Sequence, residues 1–427
     1  MQLSKRLEPL SFNVFADMDK AKTRAKVAGQ NLIDLSLGSS DLPASPHALE
    51  AIAQSLQDFS THGYSLFSST QAFRQAAAQW YNNKFSISVD PETEVLALIG
   101  SQEGTAHLPL AVLNPGDFAL LQDPGYPSHS GGVYLAGGQV YPMPLLAENK
   151  FLPVLGDIPK SVLAQAKMMV LSYPHNPTTA IAPLSFLQET VAFCQKHNLV
   201  LVHDAPYVDF IFDTFSEAPK AENWELGVGS RDNVSGDLTI EDGVLNQKQD
   251  KQPLAPSIFQ ADPEKTVSIE FFTMSKSYSM GGFRVGYAIG NPQLIQALRQ
   301  VKACIDFNQY RGILNGAIAA LTGPQEVIRE TVDIFCQRRD IFVGALDNIG
   351  WPVPIPSATM YVWAKLPELY AQNSVGFCVD LVESTGVAVA PGAGFGKAGE
   401  GYVRFALVHK PEILSTAVKK ISLFLQG

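Results

Sequence analysis

Short apolar runs alternate along this chain with longer stretches of helical periodicity. VLALIG (residues 95 to 100), FALLQD (118 to 123), MMVLSY (168 to 173), LVLVHD (199 to 204) and VSIEFFT (267 to 273) are apolar at successive positions, as strands covered on both faces are. PLSFLQETVAFCQKHN (183 to 198) and NPQLIQALRQVKACI (291 to 305) carry helical spacing instead. Strands and helices in alternation predict an α/β fold built on a mostly parallel sheet.

In such a sheet ligands gather beyond the carboxyl ends of the strands, where loops converge and helix amino termini point outward. The segments that follow the five runs are therefore the most informative part of the sequence. They are GSQEGTAH, DPGYP, PHNPTT, Asp204 with APYVDF, and MSKSYSMGGFR. Each has an ordinary reading taken singly. A loop lysine is a solvated charge, Asp204 a helix cap, Tyr126 a turn aromatic, and Asn176 before proline a turn start. Ordered behind successive strands, they are expected to face one crevice.

Their chemistry together describes a site for pyridoxal 5'-phosphate. An aldehyde cofactor needs a lysine to attach to, and Lys276 is the candidate. Its phosphate needs N–H donors at a helix start and a cation, which Ser101, Gln102, Thr273, Ser275 and Arg284 can supply. The pyridine nitrogen needs a carboxylate to keep it protonated, and Asp204 stands at a strand end. Asn176 and Tyr207 can donate to the ring's phenolic oxygen, and Tyr126 can stack on its face.

Composition narrows the alternatives. In 427 residues, 46% hydrophobic and 17% charged, there is enough apolar material for one large core and a smaller one. The net charge of −10 and the scattered lysines and arginines give no footprint for nucleic acid or an anionic membrane. No apolar run approaches the roughly 18 residues of a membrane helix, and the N-terminal stretch lacks a secretory h-region. A cytoplasmic location is the expectation. Cys194, Cys304, Cys336 and Cys378 are far apart with no Cys-x-x-Cys pair, so neither a metal site nor a disulfide framework is signalled. PGAGFGKAG (391 to 399) fails the phosphate-loop pattern, with Pro391 at the first glycine and Ala398 at the hydroxyl position, and is read as a turn.

These residues closely resemble the class I pyridoxal-phosphate aminotransferases, in particular the branch with aspartate, aromatic and LL-diaminopimelate aminotransferases. The resemblance runs from about Leu32 to the C-terminus. Thr273, Ser275, Lys276, Gly282 and Arg284 fall in register with the family's lysine signature, and YPHNPTT is similar to its Asn-Pro-Thr motif at Asn176. HDAPY is similar to its Asp-x-x-Tyr at Asp204 and Tyr207. Three further roles follow from the resemblance alone. Arg404 in YVRFAL corresponds to the arginine that grips the substrate α-carboxylate, Gly38 in LSLGSSDLP to the substrate-side glycine, and Tyr64 in GYS to a tyrosine that reaches the neighbouring subunit's phosphate.

The resemblance implies an aspartate-aminotransferase-like large domain at residues 46 to 305, and a smaller α/β domain formed by residues 306 to 427 with part of residues 1 to 45. It also implies a homodimer with shared sites. The expected activity is transfer of an amino group from an L-amino acid to a 2-oxo acid such as 2-oxoglutarate, by ping-pong kinetics. Asp204, Tyr207 and Lys276 would be the catalytic residues, and Gly38, Asn176 and Arg404 the substrate contacts. Two alternatives stay open at this point. A C–S β-lyase on the same fold would use the same Lys276 and Asp204. A non-catalytic binding relative would be expected to have lost Lys276 or Arg404.

The sequence departs from the family in two minor ways, Thr273 for serine and Phe283 where tryptophan is common. A third departure is larger. A polar, acidic insert of about residues 215 to 253 occupies the place of a short loop, and is expected to be a surface excursion anchored at most by Trp224, Leu226, Val228, Ile240, Val244 and Leu245.

Overall fold

A computed structural model describes residues 3 to 10, 14 to 212 and 253 to 426. Twelve strands occur among these residues: β1 Ile33–Asp34, β2 Val95–Leu98, β3 Phe118–Asp123, β4 Gln139–Pro144, β5 Ala166–Ser172, β6 Val200–Asp204, β7 Ser268–Thr273, β8 Gly286–Gly290, β9 Tyr361–Lys365, β10 Val387–Ala388, β11 Ala390–Pro391 and β12 Tyr402–Ala406. Seven form the central sheet in the order β2-β8-β7-β6-β5-β3-β4. The pairs from β7 through to β4 are all parallel, and β8 alone runs against both its neighbours.

All five apolar runs of the sequence are strands of this sheet, and successive side chains divide between its faces. Leu96, Leu98, Ala119, Leu121, Met168, Val170, Val202, Ile269 and Phe271 pack into one buried cluster with Leu108, Ile295 and Leu298 from the helices Ser101–Val112 and Pro292–Ile305. Val95, Ala97, Leu120, Met169, Leu171, Leu201 and Phe272 join the larger core on the other face. Covering both faces removes any need for polar alternation, which is why the runs read as continuous. The two helical stretches form Leu184–His197 and Pro292–Ile305. Asn291 caps the second by accepting from the amides of Gln293 and Leu294.

Two strands of the sheet had no such signal. β4 is an edge strand with Pro142 and Pro144 and mostly uncovered side chains, a composition allowed only where no further strand must pair. β8 opens and closes on glycine. A Cβ on Gly286 would lie 2.5 Å from the Phe272 carbonyl oxygen, and one on Gly290 would lie 2.7 Å from the Ile269 Cα. Close passage between strands sets those two residues, and it hides the strand from an apolar-run search.

The helix Ser101–Val112 is fastened by a buried ion pair. Lys302 Nζ, fully buried, lies 2.6 Å from Glu103 Oε1 and 3.6 Å from Asp306, while Glu103 Oε2 accepts the Ile99 N–H. Glu103, His107 and Asp306 are the one group with metal-ligand spacing among the described residues, and the Lys302 ammonium already provides its cation. Burial pushes the Glu103 carboxyl up to about 7, against the opposing pull of Lys302. Removing one member of such a pair costs far more than the pair contributes, so the pair fixes where the helix begins.

The C-terminal third carries an antiparallel sheet, β11-β12-β9. β1 pairs in parallel with β10, joining the N-terminal segment to it. Residues 213 to 252, which hold nearly all of the insert and its anchors, lie outside the described residues. No helix among those described is long and apolar enough to cross a membrane.

Candidate functional site

A cavity of about 680 Å³ opens beyond the carboxyl ends of β3, β5, β6 and β7. It is lined by Gly38, Ser101, Gln102, Tyr126, Asn176, Asp204, Tyr207, Thr273, Ser275, Lys276, Arg284 and Arg404. These are all the residues singled out in the sequence except Tyr64, which lies apart and is 94% exposed.

At the end of β6, Asp204 is buried. Its Oδ2 is 3.1 Å from His129 Nε2, and since an ionised carboxylate only accepts, the imidazole N–H donates. Asp204 Oδ1 is buried with no hydrogen-bond partner. A buried acceptor of this kind is costly unless something pairs with it, so it meets the demand of a protonated pyridine nitrogen. His129 enters from the helix Pro127–Leu135, 75 positions earlier in sequence, and no local pattern announced it. His175 is also fully buried, and burial followed by the nearby His129 lowers its pKa to about 3. It is neutral near pH 7 and unsuited to proton transfer there.

The anion cradle forms where Gly100 turns the chain into the helix Ser101–Val112 with φ +78°. That helix presents unpaired N–H groups at its start. Arg284, itself left-handed at φ 53°, brings Nη2 to 2.6 Å from where a Gly100 Cβ would stand. The positive φ favours glycine at position 100, and its bare Cα leaves the guanidinium undisturbed beside it. Thr273 Oγ1 donates to Ser275 Oγ at 2.8 Å, and Gln309, which the sequence did not single out, donates to the carbonyls of Leu98 and Arg284 at 3.0 and 3.4 Å. Backbone donors, hydroxyls and a guanidinium so arranged fit a phosphate.

Lys276 follows directly after Thr273 and Ser275 and lines the same cavity. Its Nζ donates to the Gly38 carbonyl at 2.6 Å and lies 5.4 Å from the centre of the Tyr207 ring. Tyr207 Oη is 2.8 Å from Tyr361 Oη. Burial first, then Tyr361, pushes the Tyr207 phenol well above the usual range. Burial also opposes ionisation of Tyr361, but the charges of Lys276 and Arg404 outweigh it and lower that phenol.

Arg404, on β12, is 6% exposed. It donates from Nη1 to Asn176 Oδ1 at 2.8 Å and from Nη2 to the Ser36 carbonyl at 2.6 Å. The Tyr361 and Phe395 rings flank its guanidinium at 4.3 and 4.7 Å, and its Nε is buried without a partner. Phe395 belongs to the 391 to 399 stretch, which folds as two short 3-10 turns. Met18, Asp19 and Lys22 of the helix Val14–Val27 also line the cavity. Lys22 Nζ lies 3.4 Å from Asp19 and 3.1 Å from Asp34. The sequence flagged none of these three.

A family model described as aminotransferase class I and II matches residues 30–421. The LL-diaminopimelate aminotransferase of Dehalococcoides mccartyi is 38% identical over 422 residues, covering 99% of this chain and 98% of its own. Among solved structures, a probable N-succinyldiaminopimelate aminotransferase from Thermus thermophilus has TM-score 0.83 at 38% identity, covering 96% of this chain and 99% of its own. A single mutant of Thermus thermophilus aspartate aminotransferase has TM-score 0.83 at 23% identity, over 99% of both chains, a likeness of fold alone.

Proposed function

The chain belongs to the class I and II aminotransferases, which are pyridoxal-phosphate-dependent, and from that premise we propose that Lys276, Asp204 and Arg404 divide the work of amino transfer among them. The observation that carries this is the unpaired Asp204 Oδ1 in the cavity that also receives Lys276 and Arg404. When bound, the cofactor supplies an aldehyde for amines and a ring that spreads negative charge from the substrate α-carbon. Asp204, oriented by His129, holds the positive charge on the ring nitrogen. Arg404 takes the α-carboxylate in a planar, bidentate pair. Lys276 Nζ removes the proton from the donor's α-carbon and returns one when the 2-oxo acid is aminated. Donor and acceptor both carry an α-carboxylate, so one arginine serves both halves of the reaction.

For the donor, we propose an amino acid whose far end is itself charged, with LL-diaminopimelate first. Relatives named LL-diaminopimelate aminotransferase match nearly the whole chain at 35–38% identity. The cavity also carries charges of both signs, Asp19 and Lys22, on the helix Val14–Val27, which suits an ammonium and carboxylate together. A screen of amino donors against 2-oxoglutarate tests this. LL-diaminopimelate should give the highest kcat/KM, and a tenfold preference for aspartate, alanine or an aromatic amino acid would exclude it. In the same screen Arg404→Lys should lower kcat/KM for every donor alike, by roughly 2 to 4 kcal/mol. A loss confined to one donor class would instead place Arg404 at the far end.

The active unit we propose is a homodimer in which Tyr64 reaches the partner's site. Tyr64 is exposed beside other uncovered apolar side chains, Phe59, Leu66 and Phe307. The Asn308 side chain ties that last segment to the Ser65 carbonyl at 2.9 Å. An obligate interface buries on the order of 2,000 Å² or more. Mixing and refolding Tyr64→Ala with Arg404→Ala should restore activity that neither variant shows alone, because one site of each heterodimer is then intact. A monomer active in sedimentation would refute the assignment.

A further inference from the structure

Tyr361 stands where the reacting lysine, the carboxylate-binding arginine and a cofactor-facing phenol meet. It is buried on β9 and lines the cavity. Its ring lies 4.3 Å from the Arg404 guanidinium, and its hydroxyl is 2.8 Å from that of Tyr207. Gly38, whose carbonyl accepts from Lys276 Nζ at 2.6 Å, passes so close that a Cβ there would collide with the Tyr361 oxygen. The glycine thus lets the phenol stand beside the lysine that bonds the Gly38 carbonyl, and the charge of Lys276 lowers the Tyr361 phenol against its burial.

The groups facing the Tyr361 hydroxyl come from three elements: Lys276 beyond β7, Tyr207 beyond β6 and Arg404 on β12. Tyr126, beyond β3, acts on it through Tyr207. Two cations and a neutral phenol favour negative charge on the oxygen they surround. Either hydroxyl can donate across the 2.8 Å Tyr207–Tyr361 contact, and the opposite shifts of the two phenols favour Tyr207 as the donor and Tyr361 as the acceptor.

We propose that Tyr361 is a positioning residue for Lys276: its oxygen holds the amine against Gly38, and its negative character stabilises the ammonium that Nζ becomes on taking the α-proton. The inference rests on Lys276 being the reacting amine. It makes Tyr361 to the lysine what an orienting carboxylate is to a catalytic histidine.

Two measurements test it. In the cofactor-free protein, near-ultraviolet tyrosinate absorption followed against pH should show one phenol ionising below the others. That step should be missing in Tyr361→Phe and moved upward in Lys276→Ala. In the holoenzyme, Tyr361→Phe should lower kcat roughly tenfold or more, short of losing a general base outright, with donor KM within about a factor of 3. The pH midpoint of its visible absorption band should fall by about one unit, because the cation at the lysine nitrogen loses its partner. Unchanged kcat and midpoint would overturn the proposal, and so would a loss in KM alone, which would assign Tyr361 to Arg404. Should Tyr361→Phe fail to fold, the tyrosinate titrations of wild type and Lys276→Ala decide the matter, an unmoved or absent step overturning it. Borohydride fixing of the cofactor on another lysine would overturn the Lys276 reading as well. Fixing on Lys276 with an inert Tyr361→Phe would overturn this proposal alone.

Discussion

Lys276→Ala should still bind pyridoxal 5'-phosphate, loosely, and lose turnover by roughly 10⁴-fold or more, since on the roles proposed above it would remove both the covalent attachment point and the general base. The binding that remains should come from groups the substitution does not touch and that line the same cavity: the start of the helix Ser101–Val112, Arg284 and Asp204. Wild-type protein reduced with borohydride should carry the cofactor's mass on the peptide containing Lys276, and the variant should carry none. Single-turnover kinetics locate the defect in the proton-transfer step. A rate within tenfold of wild type would remove Lys276 from the chemistry.

Asp204→Asn is expected to have the second largest effect, a fall in kcat of roughly 10²- to 10³-fold, the range for losing one preorganised electrostatic group. The amide keeps the size of the carboxylate and can still meet His129 across the 3.1 Å contact. What disappears is the negative charge on the buried, unpaired Oδ1, and with it the means of keeping a ring nitrogen protonated. The cofactor should remain bound with an altered visible spectrum. Asp204→Ala should be worse and less stable, because it also leaves His129 buried without its partner. Equal kcat in wild type and Asp204→Asn would mean that the carboxylate serves only to hold the histidine.

What was legible in the sequence was whatever sits next to the end of an apolar run. Asp204 ends a strand, Lys276, Asn176, Tyr126 and Ser101 each follow one within a few residues, and the parallel sheet brings those ends together. His129, Tyr361, Phe395 and the residues of the helix Val14–Val27 reach the cavity through packing between distant elements, and local pattern does not encode that. Arg404 and Gly38 were found through resemblance to a family, since one lies inside an antiparallel strand and the other in a loop distant from the five runs. β4 and β8 escaped for opposite reasons, prolines at an exposed edge in one and glycines at a crowded crossing in the other.

The bond from Arg404 to the Ser36 carbonyl joins residues 368 positions apart. Every strand of the central sheet has been synthesised by Gly290, and Lys302 and Gln309, which brace the anion cradle, soon follow, so a nascent chain can bring Asp204, Lys276 and the cradle together before β12 is added. The wall that recognises a substrate closes only when β12 arrives to meet a segment made near the beginning. Long-range closures of this kind come late because their entropic cost precedes their reward. On the roles proposed above, the growing polypeptide would have a pocket for its cofactor before it has a grip on the α-carboxylate that every substrate shares.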